Sequence, residues 1–233
     1  MLKYVILDFG KVIAGPTTGD WFMTPCFLKN IDINLIDKDK FKEALNKYGH
    51  FKDIKITTLE EEYDAFYKLY SNALKEINYP NYSDEIAKNI AYNFTYENDK
   101  YTFYDNVEQE LEELNKKYTL ILLTDNWPCI NRILDEIDFT KYFSKVYVSS
   151  IYGKQKKDIV LFDCPINDFN IKENEAIFID DNEALLDIAI TKKLDVRLMD
   201  REGIIKNSKY PIINDLKKTT IVVFLCYNRS LRM

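Results

Sequence analysis

A chain of 233 residues is long enough for one large domain or for a domain with an insertion. Its 46% hydrophobic and 30% charged residues exclude a disordered protein and are typical of a folded one. The net charge of −6 excludes the broad basic surface that proteins use for nucleic acid or anionic membranes, so neither partner is expected.

The scattered cysteines and the single histidine exclude two further classes of site. The four cysteines form no CxxC pair, so neither a zinc framework nor a disulfide scaffold is predicted. His50 cannot build a multi-histidine site alone, and it is predicted to lie at the surface or at a boundary. The sequence has no secretory signal and no apolar run near the ~20 residues that span a bilayer. A cytoplasmic protein is expected, with monomer and homodimer both left open.

The chain begins with a predicted buried strand that ends at an acid. Five of the six residues in 2–7 are apolar or aromatic, and Asp8 follows directly, with Gly10 in the turn behind it. In an open α/β sheet, ligands bind beyond the carboxyl ends of the strands, so Asp8 stands at a position typical of chemistry. Taken alone, Asp8 is equally explained as a residue that ends a strand and caps a turn.

A helical insertion is predicted between residues 16 and 100. Apolar and aromatic side chains recur there at helical spacing, and Thr58 with Glu61 forms a capping-box pattern. Most of these rings are predicted to form a core. The predicted helices are Lys38–Tyr48, Leu59–Ile77 and Ser83–Tyr96.

The sheet pattern returns after residue 100, with strands and helices in alternation. The predicted strands are Tyr118–Leu123, Val146–Val148, Ala176–Ile179 and Asp195–Leu198, and Ile221–Cys226 is a candidate last strand. The predicted helices are Asn106–Lys117, Asn131–Ile137, Asp158–Asp163 and Glu183–Lys192. This alternation predicts an α/β fold with a doubly wound, Rossmann-like parallel sheet. Its core domain would comprise residues 1–15 and 101–233, and residues 16–100 would form an all-helical cap domain.

Polar residues with complementary chemistry follow several of these strands. Asp8, Thr124 and the pair Asp180-Asp181 each follow a buried strand, and Lys156 lies in a later loop. Because parallel strands bring their carboxyl ends to one edge, these groups are predicted to converge. Carboxylates suit Mg²⁺, a lysine suits phosphate and developing negative charge, and a carboxylate beside both can act as a nucleophile.

Four short segments resemble the successive motifs of the haloacid dehalogenase superfamily. They are Asp8–Val12, Leu122–Asn126, Lys156–Phe162 and Phe178–Asn182. The resemblance extends to about Leu198, and the helical insertion resembles the C1-type cap of that superfamily. The most similar members are bacterial phosphatases, some of which act on sugar phosphates, related to the amino-terminal phosphatase domain of epoxide hydrolases.

The resemblance implies a role for each residue that matches these motifs. Asp8 would be the nucleophile, and Thr124 and Lys156 would bind the phosphoryl group. Asp181, helped by Asp180, would hold Mg²⁺ together with the Asp8 carboxylate and the backbone carbonyl of Gly10. The substrate would be a small phosphorylated metabolite.

Three positions depart from the pattern of that superfamily. Most of its phosphatases carry a second Asp two residues after the nucleophile, as general acid and then base, and this chain has Gly10 there. General acid–base help is typically worth about 10²–10⁴-fold in rate. A slower enzyme is therefore expected, or one with a good leaving group such as a sugar 1-phosphate or an acyl phosphate. Asp125 stands where related sequences usually carry Asn. It would contact the substrate and could replace the missing general acid, although a substitution without catalytic effect is favoured. The third is Lys157, which follows Lys156 where the superfamily often has proline, so the choice of phosphate-binding lysine is open and Lys154 is the alternative to Lys156.

The function predicted from the sequence is a Mg²⁺-dependent phosphatase that works through an aspartyl-phosphate on Asp8. Thr17 and Trp21, just past the first motif, are candidate substrate contacts, and packing explains them equally well. One alternative is a non-catalytic protein that binds a phosphorylated ligand or a partner protein, since the acid is missing. A metal-free haloacid dehalogenase is a weaker alternative, because such an enzyme would not need Asp180 and Asp181.

Overall fold

The computed structural model describes residues 1–49 and 54–219, and its centre is a six-stranded parallel sheet. His50 and the candidate strand Ile221–Cys226 lie outside the described residues. The strands are β1 (Tyr4–Leu7), β4 (Thr119–Thr124), β5 (Phe143–Val148), β6 (Ala176–Asp180), β7 (Asp195–Met199) and β8 (Ile212–Ile213). Their order across the sheet is β5-β4-β1-β6-β7-β8. The predicted α/β fold with a parallel sheet is confirmed.

Helices cover both faces of the sheet because its central strands have unbroken apolar runs, residues 5–7, 120–123 and 176–179. Val5 and Leu7 belong to a core cluster with α5 (Val107–Asn115) and α6 (Cys129–Glu136). Ile6, which points to the opposite face, belongs to a cluster with residues of α9 (Glu183–Thr191) and of the short helix before α8 (Asp163–Asp168). The sheet is therefore doubly wound, as the unbroken apolar runs predicted.

The helical insert lies between two short strands that the sequence did not reveal. β2 (Ala14–Pro16) pairs antiparallel with β3 (Tyr101–Phe103), so the chain leaves the sheet region and returns to it at one place. The Gly15-Pro16 pair in β2 predicts a break and not a strand, because glycine and proline are depleted in strands. The predicted boundaries 1–15, 16–100 and 101–233 coincide closely with this ribbon, and the division into two domains stays a prediction.

In the part of the chain that the structure describes, the insert has four α-helices around its own aromatic core. They are α1 (Pro25–Asn30), α2 (Lys38–Tyr48), α3 (Leu59–Glu76) and α4 (Asp84–Tyr96). The capping box predicted for α3 is present, with the Thr58 hydroxyl accepting from the Glu61 backbone N–H at 3.2 Å. Phe66 stacks on Phe94 with ring centroids 3.8 Å apart. Among the described residues, no helix is both long and apolar enough to cross a membrane.

Glu62 is a buried acid where the insert meets the sheet region. It has no solvent exposure, and its Oε2 accepts the Cys129 backbone N–H at the start of α6 at 2.7 Å. An anion is favourable at a helix N-terminus. Burial nevertheless raises the pKa of the Glu62 carboxyl above its usual value, although the nearby charge of Lys100 opposes that rise.

Replacing Glu62 with glutamine is expected to change how stability depends on pH. An acid whose pKa is raised by folding contributes stability below its unfolded pKa, and this contribution is lost as pH rises through the folded pKa. As pH rises from ~4.5 to neutrality, the free energy of unfolding of Glu62→Gln should therefore increase relative to that of wild type by on the order of 1 kcal/mol. Urea denaturation at both pH values measures this. Glu60→Gln, an exposed change in the same turn, is the control, and equal pH profiles for the two variants would contradict the expectation.

Candidate active site

Three neighbouring strands bring their last residues together at one edge of the sheet. β1 lies between β4 and β6, and Leu7 is level with Leu122 on one side and Ile179 on the other. Asp8 continues this register, since its backbone N–H donates to the Ile179 carbonyl at 2.9 Å. Asp8, Thr124 and Asp180 are consequently neighbours, although more than a hundred residues separate the first from the others.

Lys156 is a buried cation held between two carboxylates. Its Nζ lies 2.7 Å from Asp8 Oδ1 and 2.6 Å from Asp180 Oδ2, and the residue is only 2% exposed. Burial lowers the pKa of the Lys156 ammonium, but the charges of Asp180, Asp8 and Asp125 raise it by more. Lys156 is therefore protonated at neutral pH and supplies a fixed positive charge beside Asp8.

Asp180 binds Lys156 and a backbone amide through its two carboxylate oxygens. Both of its oxygens already accept hydrogen bonds, Oδ2 from Lys156 and Oδ1 from the Asn182 backbone N–H at 2.9 Å. It is fully buried, and burial raises the pKa of its carboxyl in spite of the Lys156 ammonium. The ion pair with Lys156 opposes that rise and favours the ionised form of Asp180.

Three carboxylates gather tightly enough to hold a metal ion. Ligand oxygens of Asp8, Asp180 and Asp181 all lie within 4.8 Å of one another. Asp181 is partly exposed, and its Oδ2 is 3.7 Å from Lys11 Nζ. Burial and the charge of Asp8 raise the pKa of the Asp181 carboxyl, and the charges of Lys11 and Lys156 oppose that rise. An all-oxygen, acidic set of this kind fits Mg²⁺.

A cavity of about 400 Å³ opens above these carboxylates, between the sheet edge and the helical insert. Asp8, Gly10, Thr124 and Asp181 line its base, and Lys156 lies buried beneath Asp8. Lys154, the alternative phosphate-binding lysine, also lines the cavity. The remaining lining residues are Phe9, Lys11, Trp21, Phe22, Gly49, Phe94, Lys100, Tyr101, Asp125, Asn126, Trp127, Ser149, Ser150, Gly153 and Gln155.

The other candidate residues from the sequence fall in different places. Trp21 lines the cavity and Thr17 does not, because the Thr17 hydroxyl lies 3.0 Å from that of Thr102 at the ribbon of β2 and β3. Asp125 is solvent-exposed, and its Oδ1 accepts the Lys156 backbone N–H at 2.9 Å. Asp125 therefore fixes the loop that carries Lys156, a contact that sequence spacing did not indicate.

Several cavity residues were not singled out in the sequence. Asn126 is the last residue of the Leu122–Asn126 motif, where the resemblance implies no role for it, and Trp127 follows directly. Asn126 Oδ1 accepts from the Trp127 backbone N–H at 2.9 Å and from the Tyr101 hydroxyl at 3.2 Å. Phe94 lies in α4, the last helix of the insert, and Tyr101 begins β3 directly after the insert. No local pattern marks these residues, because they meet only when the insert folds over the sheet edge.

Comparison with known proteins gives a match over most of the chain. Residues 32–200 match the family model described as haloacid dehalogenase-like hydrolase. The matched stretch begins after β1, so Asp8 and Gly10 lie outside it. A search of curated protein sequences finds no match.

Solved structures share the fold at low sequence identity. The putative HAD-hydrolase YfnB from Bacillus subtilis, bound to magnesium, is 15% identical, with a TM-score of 0.65 over 95% of this chain and 98% of that one. The 2-haloacid dehalogenase from Pseudomonas syringae pv. tomato is 16% identical, with a TM-score of 0.63 over 97% and 100%. The HAD family enzyme BT-2542 from Bacteroides thetaiotaomicron, in complex with magnesium and inorganic phosphate, is 18% identical, with a TM-score of 0.61 over 89% and 98%.

Proposed function

The chain belongs to the haloacid dehalogenase-like hydrolases, and from this membership we propose that it is a Mg²⁺-dependent phosphatase of small phosphorylated metabolites. The observation that carries the proposal is the contact of Lys156 with Asp8 at 2.7 Å, beside an oxygen-only cluster of acids at the base of a cavity. The magnesium in YfnB and the magnesium and phosphate in BT-2542 support the same chemistry for related folds.

Asp8 is assigned the role of nucleophile. One oxygen of its carboxylate attacks phosphorus, the bond from phosphorus to the leaving-group oxygen breaks, and that oxygen departs with the electron pair. Water then hydrolyses the aspartyl-phosphate, which releases inorganic phosphate and restores the Asp8 carboxylate. Lys156 orients Asp8 through its Oδ1 and neutralises part of the charge on the phosphoryl oxygens. Thr124 lines the cavity beside Asp8 and is assigned a hydroxyl contact to the phosphoryl group.

Magnesium would be held by the carboxylates of Asp8 and Asp181 and by the Gly10 backbone carbonyl, with Asp180 as a supporting group. When bound, it supplies positive charge to the phosphoryl oxygens and allows an anionic nucleophile to approach an anionic substrate. The helical insert, as a cap over the cavity, excludes bulk water and carries the contacts that select the substrate.

Phosphate release with Mg²⁺ and with EDTA tests this proposal. The panel contains glycerol phosphate, a sugar 1-phosphate, acetyl phosphate, an aryl phosphate and, followed by halide release, a 2-haloacid. Release of phosphate that requires Mg²⁺ supports the phosphatase. Halide release in EDTA would instead identify a metal-free dehalogenase. No turnover, with calorimetric binding of phosphate, would identify a non-catalytic phosphate-binding protein.

Gly10 bears on the missing general acid, because the Trp21 ring lies beside it. A Cβ on Gly10 would lie 3.4 Å from Trp21 Cζ2 and 3.6 Å from Asp8 Oδ2, which are ordinary van der Waals contacts. Trp21 is thus the first group that a longer side chain at position 10 would meet.

Gly10→Asp alone is therefore expected to change kcat for an alkyl phosphate by less than about threefold. The double variant Gly10→Asp/Trp21→Ala should raise kcat roughly tenfold or more, which is still below the effect of a well-positioned acid. Steady-state rates for wild type, both single variants and the double variant form a double-mutant cycle that measures the coupling between positions 10 and 21. A full gain in Gly10→Asp alone would show that Trp21 is no obstacle.

A further inference from the structure

Aromatic rings form much of the cavity wall above the proposed nucleophile. Six lining residues are aromatic, namely Phe9, Trp21, Phe22, Phe94, Tyr101 and Trp127. Phe9 and Phe94 are buried behind the surface, whereas the other four keep part of their side chains exposed. Phe22 and Trp127 also pack against the core of the insert, and Tyr101 packs against the core of the sheet region. Trp21 belongs to neither cluster and is 37% exposed, so it presents the most ring surface to a ligand.

Trp21 lies nearest to the reacting atoms. Its ring atoms Cζ2 and Cη2 would be 3.4 and 3.5 Å from a Cβ on Gly10, and Asp8 Oδ2 would be 3.6 Å from the same point. The Tyr101 ring supports it edge-to-face at 6.1 Å between centroids. Position 10 is where a general acid would reach the leaving-group oxygen, so the leaving group of a bound phosphate passes directly beside the Trp21 ring.

Some uncharged polar groups of the cavity are already engaged with one another. Asn126 Oδ1 accepts from Tyr101 and from the Trp127 backbone, and the Asn126 backbone N–H donates to the Ser149 hydroxyl at 3.2 Å. To bond a polyhydroxylated leaving group, these particular groups would have to give up their present bonds, because each sugar hydroxyl that loses water needs a partner. A flat apolar ring has no such requirement.

We propose that the substrate is a small aryl phosphate whose aromatic ring lies against Trp21, within the aromatic wall of the cavity. This inference rests on the phosphatase function proposed above and names its substrate class. A phenolic leaving group has a pKa near ~10, well below that of an aliphatic alcohol, and leaves with less need of a proton donor. The glycine at position 10 and the rings around it therefore point to the same substrate.

The first arm of the test separates ring recognition from leaving-group acidity. Benzyl phosphate and cyclohexylmethyl phosphate both release an aliphatic alcohol of similar size, and only the first carries an aromatic ring. Wild type is expected to show a KM about 5–10-fold lower for benzyl phosphate, as expected for aromatic contacts. Trp21→Leu should reduce that ratio to below about twofold, and Trp21→Phe should keep most of it. Tyr92→Leu, which removes an exposed ring outside the cavity, is the matched control.

Binding without turnover provides a second readout. The chain has two tryptophans, Trp21 and Trp127, and both line the cavity. Tryptophan fluorescence of Asp8→Asn, titrated with the same two phosphates, should give the same 5–10-fold preference as a ratio of Kd values. Trp127 remains as the reporter when Trp21 is replaced.

The leaving-group arm compares phenyl phosphate with benzyl phosphate and glycerol phosphate. Wild type should release phosphate from phenyl phosphate at least about 10²-fold faster in kcat, because no acid compensates for a poor leaving group. Phosphate release with equal kcat/KM for aromatic and saturated substrates would overturn the aryl inference and leave the phosphatase standing. No release from any phosphate would overturn both. If Trp21→Leu kept the wild-type preference for benzyl phosphate over cyclohexylmethyl phosphate, the proposed contact between Trp21 and the aromatic ring would be overturned.

Discussion

Asp8→Asn is expected to lower kcat for phosphate release by at least about 10⁴-fold, since removal of a covalent nucleophile elsewhere costs roughly 10⁶-fold. The amide retains the shape of the carboxylate but cannot form the aspartyl-phosphate at a useful rate. Neither neighbouring carboxylate is placed to replace Asp8 as the nucleophile. Both Asp180 oxygens already accept hydrogen bonds, and Asp181 Oδ2 faces Lys11.

Two further variants distinguish loss of the nucleophile from loss of the metal. Asp181→Asn should raise the Mg²⁺ concentration needed for half-maximal activity, and excess Mg²⁺ should restore part of kcat. No Mg²⁺ concentration should restore Asp8→Asn. Asp195→Asn, at the opposite end of the sheet on an exposed residue, should behave as wild type. Rescue of Asp8→Asn by Mg²⁺ would show that Asp8 acts only as a metal ligand.

Lys156→Met is expected to produce the largest loss of stability, together with loss of activity. It leaves the fully buried Asp180 and the nearly buried Asp8 without their cation. Breaking a buried ion pair from one side typically costs about 3–5 kcal/mol. Urea denaturation at neutral pH measures this loss. The deficit should shrink as pH falls, because the orphaned carboxylates then take up protons and lose their charge.

Lys154→Met is the matched control in the same loop. Lys154 lines the cavity, whereas Lys156 is buried against Asp8. Its replacement should cost less than about 1 kcal/mol in free energy of unfolding, as exposed ion pairs do, and should change KM more than stability. Equal destabilisation by the two variants would contradict the assignment of Lys156 as the central cation, and a larger activity loss in Lys154→Met would make Lys154 the phosphate-binding residue.

The parts of the fold that local pattern controls could be predicted from the sequence. Helix α2 occupies the predicted range Lys38–Tyr48, because its cap and its apolar spacing are both local. The strands ending before Asp8 and at Thr124 and Asp180 are buried on both faces and read as unbroken apolar runs. Their shared carboxyl edge then follows from the parallel topology alone.

Long-range geometry could not be predicted in the same way. The ribbon pairs two strands of only three residues, and the Gly-Pro pair in β2 favours a break. Which of Asp180 and Asp181 pairs with Lys156 depends on side-chain geometry that adjacent positions in the sequence do not distinguish.

Thr17 and Trp21 are equivalent candidates in the sequence, but of these two only Trp21 lines the cavity. The aromatic wall combines residues from the first motif, the insert, β3 and the segment after Thr124, and no spacing rule connects them.

The central claim is a phosphoryl group carried covalently on Asp8. Rapid acid quenching of wild type turning over phenyl phosphate with Mg²⁺, followed by mass spectrometry of the peptide that contains residues 4–11, tests it directly. The account predicts a phosphorylated peptide that is modified at Asp8, is absent in Asp8→Asn and is lost on brief exposure to alkali. Steady release of phosphate with no modified peptide at any quench time, or with the phosphoryl group on another residue, would contradict it.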